Sequence, residues 1–252
     1  MRYFVELSYL GTVYHGWQLQ PNAVSIQEKL EDAFSKILRK EIRIHGSSRT
    51  DTGVHARQQY AYFDVEDIGM SFKDLVWKLN SFLPEDISIN EIIPLADEAH
   101  ARFDALSRKY IYRIHLKKDP FLISNSLFFR KPLDLEKMNE AAQILFEYED
   151  FECFSKVKTD VNTFNCTIEE AHWVQNDHQL EFHIKANRFL RGMVRAIVGT
   201  LLDIGEGKMD INDLRSIIES KKRTRAGRSI EAIGLTLEEV NYPDNYFNGK
   251  KS

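Results

Sequence analysis

The chain has 252 residues, 43% of them hydrophobic and 12% aromatic, enough apolar material for one large domain or two small ones. No apolar run approaches the ~20 residues a membrane span needs, and two cysteines, Cys153 and Cys166, cannot form a metal cluster and make a poor disulfide framework. The net charge of −4 counts weakly against nucleic-acid binding, which draws on Lys and Arg, so the distribution of charge matters more than its sum. Met1–Leu7 reads as a strand with no apolar leader, and a reducing cytoplasm is the expected home.

Arg2–Tyr9 alternates loosely and stops before Gly11, as a strand does. Ser25 with Glu28 forms a capping box, opening a helix with Ile26, Leu30, Ala33, Phe34, Ile37 and Leu38 on one face. Strands are expected at Glu41–His45 and Gln59–Val65, flanking a loop over Gly46–Arg57. A second helix begins at Ser71 and carries Phe72, Leu75, Val76, Leu79 and Phe82. Leu83-Pro84 ends it, and Ile87–Ile93 follows as a strand. The order is βαββαβ.

The second half repeats it. Lys109–Leu116 alternates, with Tyr110, Tyr112, Ile114 and Leu116 on one face. A helix from about Asp134 presents Leu135, Met138, Ala142 and Leu145. Thr167–Val174 and Leu180–Ala186 form a hairpin around Asn176-Asp177, helices at Phe189–Ile204 and Ile211–Ser220 follow, and a strand near Ala232–Val240 closes the pattern. The expected fold is therefore α+β: two ferredoxin-like βαββαβ halves, residues 1–104 and 105–252, whose antiparallel sheets form a central cleft. Lys117–Lys131 and Lys156–Asn165 are expected loops.

The stretch Gly46-Ser47-Ser48-Arg49-Thr50-Asp51-Thr52-Gly53-Val54-His55-Ala56 is the most informative in the chain. Glycines at either end permit tight turns, and small hydroxyl residues surround one carboxylate. Arg49, two positions before Asp51, favours its ionised form, which suits a nucleophile or an electrostatic stabiliser. On composition alone, Asp51 capping local amides in an Asx-turn is the competing reading.

This stretch resembles the active-site signature of the tRNA pseudouridine synthase A family, close to G-A-G-R-T-D-A-G-V-H-A. Arg49-Thr50-Asp51 and Gly53-Val54-His55-Ala56 match. The resemblance extends to Gly11 with Gly16-Trp17-Gln18, Ser25–Glu31, His100-Ala101-Arg102-Phe103, Arg108–Tyr112 and Met193–Thr200. It implies isomerisation of uridines on the 3′ side of the tRNA anticodon loop and adjoining stem, with Asp51 as the catalytic carboxylate. It implies no cofactor and no metal, and a homodimer that shares one tRNA between subunits. His55 reads as a loop-stabilising histidine.

A uridine within a stem or stacked loop must be flipped out to react, and the resemblance assigns Tyr110 to stack on it. Tyr112, on the same strand face, competes as a core aromatic. Arg188, Arg191 and Arg195 fall at i, i+3 and i+7 of the expected helix and would share one face. The resemblance sets Arg195 against Asp51 and leaves Arg188 and Arg191 nearer the RNA. It also makes His100-Ala101-Arg102-Phe103 a tRNA-contacting segment, with Arg102 meeting a phosphate. Lys221, Lys222, Arg223, Arg225 and Arg228 form a run without an acid, read either as a solvated segment or as a phosphate-binding one. The family's A-P-x-x-G-L-x-L pattern appears here as Ile230–Leu237 without its proline, with Leu235 kept as an apolar wall for uracil. The Lys156–Asn165 loop has no arginine.

Two rival readings are a non-catalytic RNA-binding module, since such sheets bind single strands, and a metal-dependent hydrolase using Asp51, His55 and His45. The second lacks further carboxylates at convincing spacing.

Overall fold

The computed structural model describes residues 1–157 and 162–248, so residues 158–161 of the expected Lys156–Asn165 loop lie outside the described residues. The chain divides into two compact units, Met1–Leu106 with the segment from Leu237 onward, and Ser107–Thr236. Among the described residues, no helix is long and apolar enough to cross a membrane.

The first unit runs β1 (Arg2–Tyr9), α1 (Ile26–Leu38), β2 (His45–Gly46), β3 (His55–Asp64), α2 (Phe72–Phe82) and β4 (Ile87–Leu95). Its strands take the order β4-β1-β3-β2, antiparallel throughout, which is the ferredoxin-like arrangement expected. α1 begins where its capping box predicts: the Glu28 amide donates to Ser25 Oγ, and the Ser25 amide donates to the Glu28 carboxylate. Ile26, Leu30, Ala33 and Phe34 are fully buried, and truncating a buried aromatic such as Phe34 to Ala costs roughly 3–5 kcal/mol. α2 starts at Phe72, and Ser71, where the helix is expected to begin, is its N-cap.

The expected strand over Glu41–His45 shrinks to His45–Gly46. The amides of Ile42 and Ile44 donate to Ser35 Oγ and Glu31 Oε1 of α1, so side chains satisfy this segment where a strand ladder would. β3 begins four residues earlier than predicted, at His55. The expected Gly46–Arg57 loop therefore narrows to residues 47–54.

The second unit runs β5 (Ser107–His115), β6 (Leu127–Phe128), α3 (Leu135–Ile144), β7 (Ile168–Asn176), β8 (Gln179–Ala186), α4 (Met193–Gly205) and α5 (Ile211–Ser220). β9 (Leu235–Asn241) starts in this unit, and β5, β8 and β7 pair antiparallel in that order, as in the ferredoxin-like pattern. The β7–β8 hairpin turns at Asp177-His178, one residue on from the expected centre, and Asp177 adopts φ +53°. β6 is a two-residue strand parallel to β5, inside what the sequence marks as loop.

One device recurs in both units. Asn80 of α2 accepts from the Ile89 amide and donates to its carbonyl. Asn139 of α3 does the same with Trp173. Each helix is thereby pinned to the backbone of an outer strand, β4 or β7.

Beyond Thr236 the chain rejoins the first unit, whereas the sequence suggests one continuous half over 105–252. The cause is aromatic. Tyr242, Tyr246 and Phe247 all have ring centroids within about 6.2 Å of Phe4, and Tyr60 stacks on Phe247 at 5.1 Å.

α4 passes very close to the segment after α5. A Cβ on Gly199 would sit 1.9 Å from the Arg228 carbonyl oxygen, and the Gly227 amide donates to Thr200 Oγ1. Gly→Ala inside a helix normally adds about 0.5–1 kcal/mol. Here Gly199→Ala is expected to lower stability by about 1–3 kcal/mol through overpacking, seen as a fall in the urea midpoint. A raised midpoint would mean that this approach is not tight.

Candidate active site

The loop between β2 and β3 is clasped by the segment that joins β1 to α1. The Trp17 amide donates to the Thr50 carbonyl (3.1 Å), and the Gly53 amide donates to the Tyr14 carbonyl (3.2 Å). The Val54 amide returns to the Asp51 carbonyl at 3.1 Å. Gly53, at φ +79°, takes the third position of this turn, where a type II turn requires a positive φ. Gly16 makes the clasp possible: its φ is +86°, and a Cβ there would lie 2.5 Å from the Thr50 carbonyl oxygen. Asp51 thus opens a tight turn and is itself half-buried, while Arg49 is exposed.

The loop's entrance is secured by Gln59, which is completely buried. Ser47 Oγ donates to Gln59 Oε1 at 2.5 Å, and Gln59 Nε2 donates to the Ser48 carbonyl at 3.0 Å. At the exit, His55 is buried and its Nδ1 accepts the Gly11 amide at 3.0 Å. An Nδ1 that accepts carries no proton, so the neutral ring holds its hydrogen on Nε2. Gln59 and Tyr9, whose hydroxyl lies 2.9 Å from Thr50 Oγ1, are loop-holding residues that the sequence reading does not single out. No local spacing ties either residue to the loop.

In the same unit, His100, Arg102 and Phe103 form a tight turn. The His100 amide donates to the Asp104 carboxylate. His100 Nδ1 accepts the amides of Arg102 (3.1 Å) and Phe103 (3.4 Å). Burial holds the imidazole below its usual pKa, in keeping with a neutral ring that caps backbone. His100 therefore builds the turn, and Arg102 and Phe103 are what it presents. Phe103 is 74% exposed, with the Arg102 guanidinium 5.6 Å from the ring centroid.

The second unit carries the remaining candidates. Tyr110, on β5, is buried with its ring edge-on to Phe189 at 5.3 Å. Tyr112 is wholly buried and donates to the Glu231 carbonyl at 2.8 Å, a core position. Burial raises its hydroxyl pKa well above the ordinary value. Leu235 is buried at the head of β9. Arg195, on α4, is half-buried. Its Nε donates to the Ile230 carbonyl at 2.6 Å, and the Ile230 amide donates to the Arg195 carbonyl.

Two expectations change here. The helix over Phe189–Ile204 starts only at Met193, because Gly192 before it is left-handed (φ +73°). Arg188 and Arg191 therefore lie in the approach to α4, and the three-arginine stripe on one helix face does not form. In the late basic run, Lys221 caps α5 with φ +54° and pairs with Asp150 at 2.6 Å. Arg223 folds back onto the Gly227 carbonyl and Ser229 Oγ, and Arg225 reaches the Ser216 carbonyl. Lys222 and Arg228 are exposed.

Neither His55 nor exposed His45, stacked on Tyr62, forms a donor cluster with Asp51. Among the described residues, donors converge to within 4.8 Å only at Glu170, His172 and His183, on β7 and β8. There Lys109 of β5 engages Glu170 (2.8 Å) and Glu181 engages His183 within β8 (3.2 Å), so Glu170 and His183 already have partners.

A pair of ferredoxin-like units with one carboxylate displayed on a clasped, glycine-dependent loop defines a class of enzyme-like α+β proteins. The sequence profile described as tRNA pseudouridine synthase matches residues 7–104 and 141–243, and the chain belongs to that family. It is similar to proteins named tRNA pseudouridine synthase A from Parabacteroides distasonis, 47% identical over 98% of each chain, and from Porphyromonas gingivalis, 49% identical over 98% of this chain and 99% of the relative. The protein of that name from Staphylococcus aureus is 35% identical over 97% of this chain and 93% of the relative.

Because Gly16 both needs its positive φ and abuts the Thr50 carbonyl, Gly16→Ala is expected to displace Thr50 and Asp51. Were Asp51 the reacting group, a misplacement of about 1 Å would cost on the order of 10²-fold in rate. Uridine isomerisation should fall by about that factor while the far-ultraviolet circular dichroism spectrum is kept; wild-type turnover would contradict the clasp's role.

Proposed function

We propose that this chain isomerises uridine to pseudouridine in tRNA, with Asp51 as the carboxylate that carries the chemistry. The observation that carries the reading is the loop itself. Asp51 lies within the matched R-T-D segment, half-buried on a turn whose backbone is fixed from three directions. A carboxylate kept only to cap local amides would not require such a scaffold. The reaction breaks the N-glycosidic bond, turns the base and forms a carbon–carbon bond through C5. It is an isomerisation with no net redox change, and no cofactor or metal is called for.

The target is the 3′ side of the anticodon stem-loop and the active form is a homodimer, both on family resemblance, and the cytoplasm is the place of action, in keeping with only two cysteines in the chain. Family resemblance also carries the assignments of Tyr110 to the flipped base, Leu235 to the uracil wall and Arg195 to the charge of Asp51. The exposed Arg102–Phe103 pair supports an RNA role for that turn, since a cation beside an open aromatic face suits a nucleic-acid strand. Arg49 joins Tyr110, Arg195 and Leu235 as a substrate-binding candidate, and Arg188, Arg191 and the Lys221–Arg225 run are the further RNA-facing candidates.

Asp51→Asn is expected to abolish tritium release from 5-tritiated uridine in tRNA while tRNA binding persists, because only the chemical step loses its carboxylate. Substantial residual turnover would sink the assignment. A second expectation concerns the late basic run, where self-pairing leaves Lys222 and Arg228 as its most available cations. Replacing both with Ala should reduce the slope of log affinity against log salt by about 0.7–0.9 for each phosphate that is no longer neutralised; an unchanged slope would return the run to solvent.

A further inference from the structure

Thr50 immediately precedes Asp51, and its side chain is tethered from the end of β1. Tyr9 Oη and Thr50 Oγ1 are 2.9 Å apart, and both residues are buried. The strand pairing is irregular at this point. Leu7 pairs with Gln59 but Tyr9 pairs with Ala56, so β3 carries one extra residue opposite β1. A bulge of this kind redirects side chains and often borders an active site.

We propose that Tyr9 and Thr50 are a positioning pair for Asp51, acting through the backbone that links Thr50 to it. The proposal rests on the reading of Asp51 as the catalytic carboxylate. The Trp17 amide and Gly16 fix the Thr50 carbonyl, which locates the chain. For a β-branched residue, χ1 and the backbone angles constrain one another. A hydroxyl held on one side therefore also selects the backbone rotation that delivers Asp51. The anchor is rigid: the Tyr9 ring packs against Trp17 with centroids 6.3 Å apart. Trp17 in turn lies so close to Gly46 that a Cβ there would be 2.5 Å from the indole.

A buried hydroxyl pair adds little net stability over an apolar pair of the same shape, because replacing both partners together removes both desolvation costs. What the pair contributes is direction. Space-filling and aiming are thus separable by experiment.

The test is a double-mutant cycle with Tyr9→Phe, Thr50→Val and both, plus Thr50→Ser, measuring single-turnover rate, tRNA affinity and thermal midpoint. Each single variant should slow the chemical step by about 10- to 100-fold with tRNA affinity unchanged. The double variant should keep its thermal midpoint yet be no slower than the singles, because both changes remove one shared interaction. Thr50→Ser keeps the hydroxyl and should stay near the wild-type rate. A folded double variant with wild-type turnover would overturn the proposal, as would effects that multiply. Should the double variant melt early, the comparison decides: Thr50→Val as fast as Thr50→Ser also overturns it. If Asp51→Asn remains active, the reading of the site falls and the pair's role with it. If Asp51→Asn is dead and the double variant is fast, only the positioning role falls.

Discussion

One backbone hydrogen bond, from the Trp17 amide to the Thr50 carbonyl, joins the β1–α1 connection to the loop before β3. Much of the first unit serves it. Gly16 is left-handed and side-chain-free so that the two segments can approach. The Ile26 amide, at the start of α1, donates to the Gly16 carbonyl, and the Gln27 amide donates to the Trp17 carbonyl. The N-terminus of α1 is therefore spliced directly onto the clasp. Gln27 in turn reaches Glu31 and the Ile44 carbonyl, which carries the same rigidity to the strand-like segment that feeds the loop. Asp51 inherits its position from a helix, a strand and two glycine-dependent turns.

Such a scaffold fits a reaction whose demand on the protein is placement. For the carboxylate proposed to carry the reaction, such support limits reorganisation, because the supporting groups are locked before substrate arrives. The support here is mostly neutral. Gln59, Ser47, Thr50, Tyr9 and a neutral His55 hold the loop through backbone and hydroxyl bonds. Within the loop Asp51 is half-buried and Arg49 is exposed.

The parts legible in the sequence were those governed by local rules. α1 falls where its cap and apolar spacing put it, α5 spans the expected Ile211–Ser220, and the hairpin near Asp177 turns as expected. The R-T-D loop stood out as a motif, and its place between strands was evident. What escaped the reading depended on distant partners. Ile42 and Ile44 looked like strand residues, but helix α1 satisfies their amides. Arg188 and Arg191 looked helical by spacing, but the left-handed Gly192 delays the helix. The return of Tyr242, Tyr246 and Phe247 to the first unit follows from aromatic packing against Phe4, a residue more than 200 positions away. Tyr9 and Thr50 are separated by 41 positions, and no periodicity links them.

The central claim is that this chain writes pseudouridine into tRNA. The most direct measurement is a map of pseudouridines in total tRNA from cells of its source, with the chain present and with it deleted. The account predicts that pseudouridines on the 3′ side of the anticodon stem-loop disappear on deletion and return when the chain is restored. A map that does not change on deletion would contradict it.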